Sequence, residues 1–227
     1  MKRFYKKLMT MRDICFLFLM LIIAKGYSQD YPVNLYKTTV DYKSNNLSET
    51  YKGIIVDEGK DYVTISKIKD SVNDKVIQYG LSAWAIRYYE NDYYNLSYYN
   101  SMTYQNAFAK FHLTEGRYYV VVLNANFANK ITQNYNSYNG ISFSGSTVFS
   151  KLKKTWLTQE GFRKQIILID TKLEDASLQN ASGINLSPRK LKKFIKKNKL
   201  KVNKESFKSM SFEEVIELIK LVNSKDI

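Results

Sequence analysis

Residues 81–100 read LSAWAIRYYENDYYNLSYYN, a pattern that predicts an aromatic β-hairpin around which the rest of the chain is organised. Apolar and polar side chains alternate at a period of two on both sides of residues 90–92, which suit a turn. Successive side chains of a strand point to opposite faces, so each tyrosine pair puts one ring on each face. On the wetter face we expect Tyr89, Tyr93 and Tyr99 to form an exposed platform for a sugar or a protein partner. Core and cross-strand packing is the commoner use of such rings.

Strand signals continue on both sides of the hairpin and predict a β-rich body over residues 29–175. They are residues 51–56 (YKGIIV), 62–68 (YVTISKI), 118–123 (YYVVVL) and 165–170 (QIILID). A short connection with Gly59 links the first two as a hairpin. The run at 118–123 is continuously apolar, which predicts a central strand covered on both faces. We therefore expect a mainly antiparallel sheet built from hairpins or a meander.

The end of the chain changes to helical patterns. A linker is predicted at 176–186, followed by a basic helical pair at 187–227 that packs on the body. Ser187 is the expected N-cap of the first helix, and Ser211 with Glu214 forms a capping box for the second. Apolar side chains recur at helical spacing in both segments. The predicted fold class is thus α+β, with a sheet body and a two-helix tail.

Residues 1–28 have the layout of a signal peptide. Basic residues precede an unbroken apolar run of eleven residues at 14–24, and Gly26 and Ser28 place small side chains at a cleavage site. Because a bilayer span needs roughly 20 apolar residues, a retained membrane anchor is the weaker alternative. We predict cleavage after Ser28 and export to the periplasm, to the outer-membrane periphery or out of the cell.

The residue types needed for several kinds of chemistry are missing from the sequence. The one cysteine, Cys15, lies in the predicted leader, so the mature chain would have no disulfide, no thiol nucleophile and no thiolate metal site. The one histidine, His112, has no second imidazole or thiol to complete a metal or Cys–His site. Asp57, Glu58 and Asp61 share a turn that is better explained by solvation than by Ca²⁺ binding. We predict no catalytic residue, no metal and no cofactor.

Most of the formal net charge of +14 belongs to the leader and to residues 189–227. The tail lysines fit the wet face of an amphipathic helix. A second interpretation is that Lys192, Lys193, Lys196 and Lys197 contact an anionic membrane or polysaccharide surface. An exported protein does not normally meet nucleic acid, so we exclude nucleic acid as a partner despite the charge.

The layout as a whole resembles a group of uncharacterised small exported proteins of Gram-negative bacteria. The resemblance rests on the leader, KGIIV at 52–56, the hairpin at 81–100 and EVIELI at 214–219 within a charged helical tail. It implies a location and an architecture, and no activity.

These features together lead to a functional expectation. We expect an exported cell-envelope protein, most simply a non-enzymatic binding or scaffolding module that contacts a protein or glycan through its Tyr-rich sheet surface. The alternatives are a carboxylate-dependent hydrolase of envelope glycans, which would need two acidic groups across a cleft, and a purely structural envelope component.

Overall fold

The computed structural model describes residues 30–101, 103–124, 155–172, 180–202 and 209–225. The predicted leader and most of the Asn-rich segment after residue 124 lie outside the described residues. The strands are β1 Asp30–Tyr36, β2 Tyr51–Gly59, β3 Tyr62–Lys69, β4 Ala85–Tyr88, β5 Asn91–Asn95, β6 Ala107–Leu113, β7 Tyr118–Asn124, β8 Trp156–Leu157, β9 Arg163–Asp170 and β10 Gly183–Asn185. The helices are α1 Thr39–Lys43, α2 Ser97–Asn100, α3 Pro188–Lys197 and α4 Phe212–Asn223, with a 3-10 turn at Gly80–Ser82.

The first six strands form a closed sheet. Their order is β6-β3-β2-β1-β4-β5, and β5 pairs again with β6, so that every strand of this sheet has two neighbours. All of these pairs are antiparallel. Alternate side chains point inward and are buried. They form the interior cluster Val33, Leu35, Val63, Ile65, Ile68, Ala83, Ile86, Tyr88, Tyr93 and Phe108.

Strand β6 leaves the closed sheet and continues into a second sheet. Residues Phe111 and Leu113 pair with β7 across a register shift, and the order then runs β7-β9-β10, with β8 also on β9. One face of β7, with Tyr119 and Val121, packs against the outer face of the closed sheet. The other face, with Tyr118, packs under the helices. This confirms that 118–123 is a central strand covered on both faces.

Helices α3 and α4 cover the far face of the second sheet. Their apolar stripes are buried as predicted, and they comprise Leu191, Phe194, Ile195, Phe212, Val215, Ile216, Ile219 and Val222. The side chain of Asn223 fixes the end of α4 to the sheet, since its Oδ1 accepts from Tyr118 N at 2.8 Å and its Nδ2 donates to Tyr118 O at 2.8 Å. The predicted α+β class is therefore confirmed. No helix in the described part of the chain has the length and apolarity that a membrane crossing requires.

The aromatic hairpin is shorter than the sequence pattern predicts. Its turn lies at Tyr89 and Glu90, and its second strand ends at Asn95, after which Ser97–Asn100 forms α2. At this end of the strand the Asn95 Oδ1 accepts from Ser97 N at 3.0 Å, a local hydrogen bond that favours a turn. Residues 183–185, assigned to the linker from the sequence, form the edge strand β10.

Candidate functional site

The three tyrosines of the predicted platform lie in different environments. Tyr89 is 59% exposed, whereas Tyr93 is 5% exposed and belongs to the interior cluster of the closed sheet. Tyr99 is half-buried on α2 and packs against the cluster between the two sheets. The prediction of one exposed platform is wrong for Tyr93, because the sheet closes and its inner face becomes core. A two-stranded pattern cannot reveal that closure.

Tyr89 forms the tip of the hairpin. Its φ is +51°, a backbone conformation that a bulky side chain rarely adopts. The ring lies 4.5 Å from that of Tyr88 and 6.1 Å from that of Tyr31, measured between centroids. The Tyr88 hydroxyl donates to Glu58 Oε2 at 3.0 Å, and burial together with this hydrogen bond raises the pKa of Tyr88. The exposed Tyr89 ring therefore packs on the rings of Tyr88 and Tyr31.

Buried aromatics of the hairpin position the edge strand β10. Trp84 Nε1 donates to Ala181 O at 2.8 Å, and Gly183 N donates to Tyr94 Oη at 2.8 Å. Gly183 is required for the close approach, since a Cβ there would lie 2.5 Å from Ile167 Cγ2. The hairpin thus fixes the position of β10, although the bonded residues are 97 and 89 positions apart in the sequence. Strand β10 in turn lines a pocket.

A pocket of about 380 Å³ opens where α2, β10 and the first turn of α3 meet. Its lining residues are Tyr99, Gly183, Ile184, Asn185, Ser187 and Lys190. This volume falls at the lower end of the range for small-molecule sites. The lining combines an aromatic ring, an aliphatic side chain, amide and hydroxyl groups and one cation. No carboxylate is among these described lining residues.

Tyr99 is held in place by two amides. Gln165 Nε2 donates to Tyr99 Oη at 2.7 Å, and Asn185 is a second hydrogen-bond partner of the same oxygen. Burial raises the pKa of Tyr99, and these two hydrogen bonds act to lower it. The hydroxyl stays protonated at neutral pH and accepts from the amides, which leaves its own proton for a further acceptor.

Asn185 lines the pocket and contains a buried acceptor atom. The residue is 9% exposed, and its Oδ1 has no hydrogen-bond partner among the described residues. A buried polar atom without a partner costs about 1–3 kcal/mol and is rare in folded proteins. The oxygen itself is inaccessible to solvent, so it does not form part of the open surface of the pocket.

The first turn of α3 makes the pocket electropositive. Ser187 occupies the predicted N-cap position, but its side chain accepts no hydrogen bond from the helix. The turn contains no acidic residue, and the exposed Arg189 and Lys190 add charge to the positive end of the helix dipole. The second helix differs, because Ser211 accepts from Glu214 N at 3.3 Å in the predicted capping box.

The tail lysines occupy the exposed side of α3. Lys192, Lys193, Lys196 and Lys197 are all exposed. Lys197 is engaged within the protein, since its Nζ lies 3.0 Å from Asp170 Oδ2, and this hydrogen bond raises the pKa of Lys197. Contact of the four lysines with an anionic surface remains a prediction.

Other reactive groups form no recognisable site within the described ranges. No group of three or more His, Cys, Asp or Glu side chains is close enough there to hold a metal ion. His112 lies on the exposed side of β6, with its ring 6.1 Å from that of Phe212. Burial lowers the pKa of His112, and the nearby charges of Lys164 and Lys220 act in the same direction.

Sequence reasoning found one residue of the pocket, Tyr99, and missed its partners Gln165 and Asn185. Asn185 was placed in a linker, and Lys190 was counted only as part of a basic helix. No short-range signal links these positions, because strand pairing across the sheet brings them together. Comparison of the chain with protein-family profiles, with curated proteins and with solved structures gave no match.

Proposed function

We propose that this protein is an exported, non-enzymatic binding module of the cell envelope that holds a glycan or protein ligand by contact at the Tyr99 pocket. The observation that carries the proposal is the Tyr99 ring, which lines an open pocket and is fixed there by the hydrogen bond from Gln165 Nε2 to its hydroxyl group. A fixed tyrosine ring in a pocket offers an apolar contact face to a sugar or to a protein side chain.

The chemistry of the lining supports binding over glycan cleavage. Hydrolysis of a glycosidic bond by acid–base catalysis needs a pair of carboxyl groups across the cleft. The described lining contains amides, hydroxyls, a ring and the Lys190 ammonium group. These groups orient a ligand, and a rigid tyrosine ring does so with little loss of conformational entropy.

Export is part of the proposal because the location of the protein determines which ligands it can meet. The apolar run at 14–24 and the small residues Gly26 and Ser28 support it. Mass spectrometry of the protein recovered from the envelope should give an N-terminus at Gln29. Recovery of the chain with residues 1–28 attached, in the cytoplasm, would contradict export.

Capture experiments with matched tyrosine variants test the binding site. Immobilised wild-type protein should retain an envelope component that Tyr99→Ala retains at least about tenfold less, because the ring and its hydroxyl are both lost. Tyr89→Ala is the control, since Tyr89 is exposed and does not line the pocket. Circular dichroism must show that both variants are folded. Undiminished capture by Tyr99→Ala would refute the pocket, and loss of capture by Tyr89→Ala alone would move the contact surface to the hairpin tip.

A further inference from the structure

We infer that the outer side of α3 docks on the surface of an anionic phospholipid bilayer through a row of cations, the basic ridge, which consists of Arg189, Lys193 and Lys196. The ridge does not line the Tyr99 pocket, so the inference goes beyond the proposed binding function and does not depend on it. It follows from the exposure of these cations and from the lack of an acidic partner for them on the helix that packs beside α3.

The segment that begins with α3 has a high density of positive charge. Eight of the fourteen residues 188–201 are Lys or Arg and none is Asp or Glu, and all eight are exposed. The members of the ridge stand at positions i, i+4 and i+7, so they lie along one line of the helix that is about 10 Å long. Leu191 and Ile195, on the opposite side of α3, belong to the buried cluster under the helices. The ridge therefore points away from the protein.

The carboxylates of α4 do not balance this charge, although both helices pack on the same face of the sheet. Glu214 is engaged in the capping box of its own helix, and Glu217 Oε1 lies 2.7 Å from Lys220 Nζ. Among the residues that the structure describes, the one ion pair of α3 is that of Lys197 with Asp170, at 3.0 Å. The charge of the ridge is therefore not used to hold α3 against its neighbour.

The ridge also opposes the stability of its own helix. Arg189 and Lys193 are four residues apart and Lys193 and Lys196 are three apart, and like charges at these spacings destabilise a helix. Arg189 lies in the first turn, where the helix dipole is positive. Solubility alone is served equally well by charges of both signs. A row of like charges that acts against folding is better explained by a partner of opposite charge.

The chemistry of α3 favours a lipid surface as that partner. All exposed side chains of the helix are Arg or Lys, and its one aromatic ring, Phe194, is 6% exposed. Sugar rings and single-stranded bases stack on exposed aromatic rings, which the ridge lacks. A plane of phosphate headgroups needs only cations, and clusters of about four to eight Lys or Arg are typical of such contacts. Because the apolar side of α3 is buried in the protein, the contact is electrostatic and the helix does not enter the hydrocarbon.

Co-sedimentation with vesicles tests the inference. The protein is expressed with its own leader and purified in the form that accumulates in the cell. It is mixed with vesicles of phosphatidylglycerol and phosphatidylcholine in equal amounts, or of phosphatidylcholine alone. In about 0.1 M salt it should bind the acidic vesicles at least about tenfold more tightly than the neutral ones. Binding should be lost in about 1 M salt, because the screening length falls from about 10 Å to about 3 Å.

A triple variant that combines Arg189→Gln, Lys193→Gln and Lys196→Gln removes the ridge. Each cation near an anionic surface strengthens binding by about fivefold, so this variant should bind the acidic vesicles roughly 100-fold more weakly. Its thermal midpoint should equal or exceed that of the wild type, because the removed charges repel one another. Lys193→Arg combined with Lys196→Arg keeps the charges and should bind as the wild type does.

The matched control combines Lys60→Gln, Lys67→Gln and Lys75→Gln, which remove the same total charge from exposed positions on the closed sheet and its turns. It should bind the acidic vesicles within about threefold of the wild type. Equal losses in the two triple variants would show attraction by net charge alone and would overturn the inference. So would a lower thermal midpoint of the ridge variant, binding that persists in 1 M salt, or no binding to the acidic vesicles. Release from the vesicles by DNA or polygalacturonate of the same total charge as the lipid would also overturn it, in favour of that polymer. Tyr99→Ala should bind vesicles as the wild type does, which separates this test from that of the pocket.

Discussion

Tyr94 joins the aromatic hairpin to the pocket through its hydroxyl group, and Tyr94→Phe removes that oxygen while it keeps the ring. The side chain is fully buried, and its Oη accepts from Gly183 N at 2.8 Å. A second contact, from Oη to Ala181 O, is 3.4 Å long and contributes little. The variant therefore leaves one buried backbone N–H of β10 without its acceptor.

The expected loss follows from that single orphaned donor. Burial raises the pKa of Tyr94, so the phenol is neutral and the hydrogen bond is not charge-assisted. An unsatisfied buried neutral donor costs about 1–3 kcal/mol. With a urea m-value of about 2 kcal/mol/M, the unfolding midpoint should fall by roughly 0.5–1.5 M.

Urea unfolding followed by tryptophan fluorescence measures this shift, because Trp84 and Trp156 are both buried. Tyr93→Phe is the matched control on the neighbouring residue of β5. The Tyr93 hydroxyl forms no hydrogen bond with any described residue in the structure, so its removal should change the free energy of unfolding by less than about 0.5 kcal/mol. Equal midpoints for Tyr94→Phe and the wild type would refute the idea that this hydroxyl holds β10 in place.

Three further perturbations test other parts of the structure. Ser211→Ala should lower the free energy of unfolding by about 0.5–2 kcal/mol because it breaks a capping box. Ser187→Ala should lower it much less, because the Ser187 side chain forms no cap hydrogen bond. Equal urea midpoints for the two variants would contradict this. Burial acts to raise the pKa of Asp170, but hydrogen bonds from its cationic partners hold that pKa below its ordinary value. The ionised carboxylate therefore stabilises the folded state above about pH 4, and this contribution is lost as the pH falls further, so the stability difference between wild type and Asp170→Asn should shrink between pH 6 and pH 3. Gly183→Ala should cost about 1–3 kcal/mol because its Cβ would overlap Ile167 Cγ2, and a thermal midpoint equal to that of the wild type would show that β10 shifts freely.

Local patterns predicted the elements whose physics is local. The capping box at Ser211 forms because its partner is three residues away, and the hairpin of β2 and β3 forms around Gly59. The apolar stripes of α3 and α4 follow from helical spacing. The strand at 118–123 is central because a run without polar positions has no face suited to water.

The same patterns failed where a distant segment determines burial. The alternation of the hairpin distinguishes two faces, but both faces are buried, one inside the closed sheet and one against the second sheet. Tyr93 is core for that reason, and Tyr89 stays exposed because it lies in the turn. The position of Tyr99 on a helix depends on Asn95, whose side chain ends the strand before it.

Local sequence is sufficient to specify the α+β class, the central strand and the two capped or Pro-initiated helices, because these depend on hydrogen bonds and side-chain periodicity within a few residues. The closure of the sheet, the strand β10 and the pocket shared by Tyr99, Asn185 and Lys190 are visible in the folded structure and in no local pattern. The physical reason is that these features depend on pairings between residues far apart in the chain. Such pairings are chosen by the packing of whole layers, which no single stretch encodes.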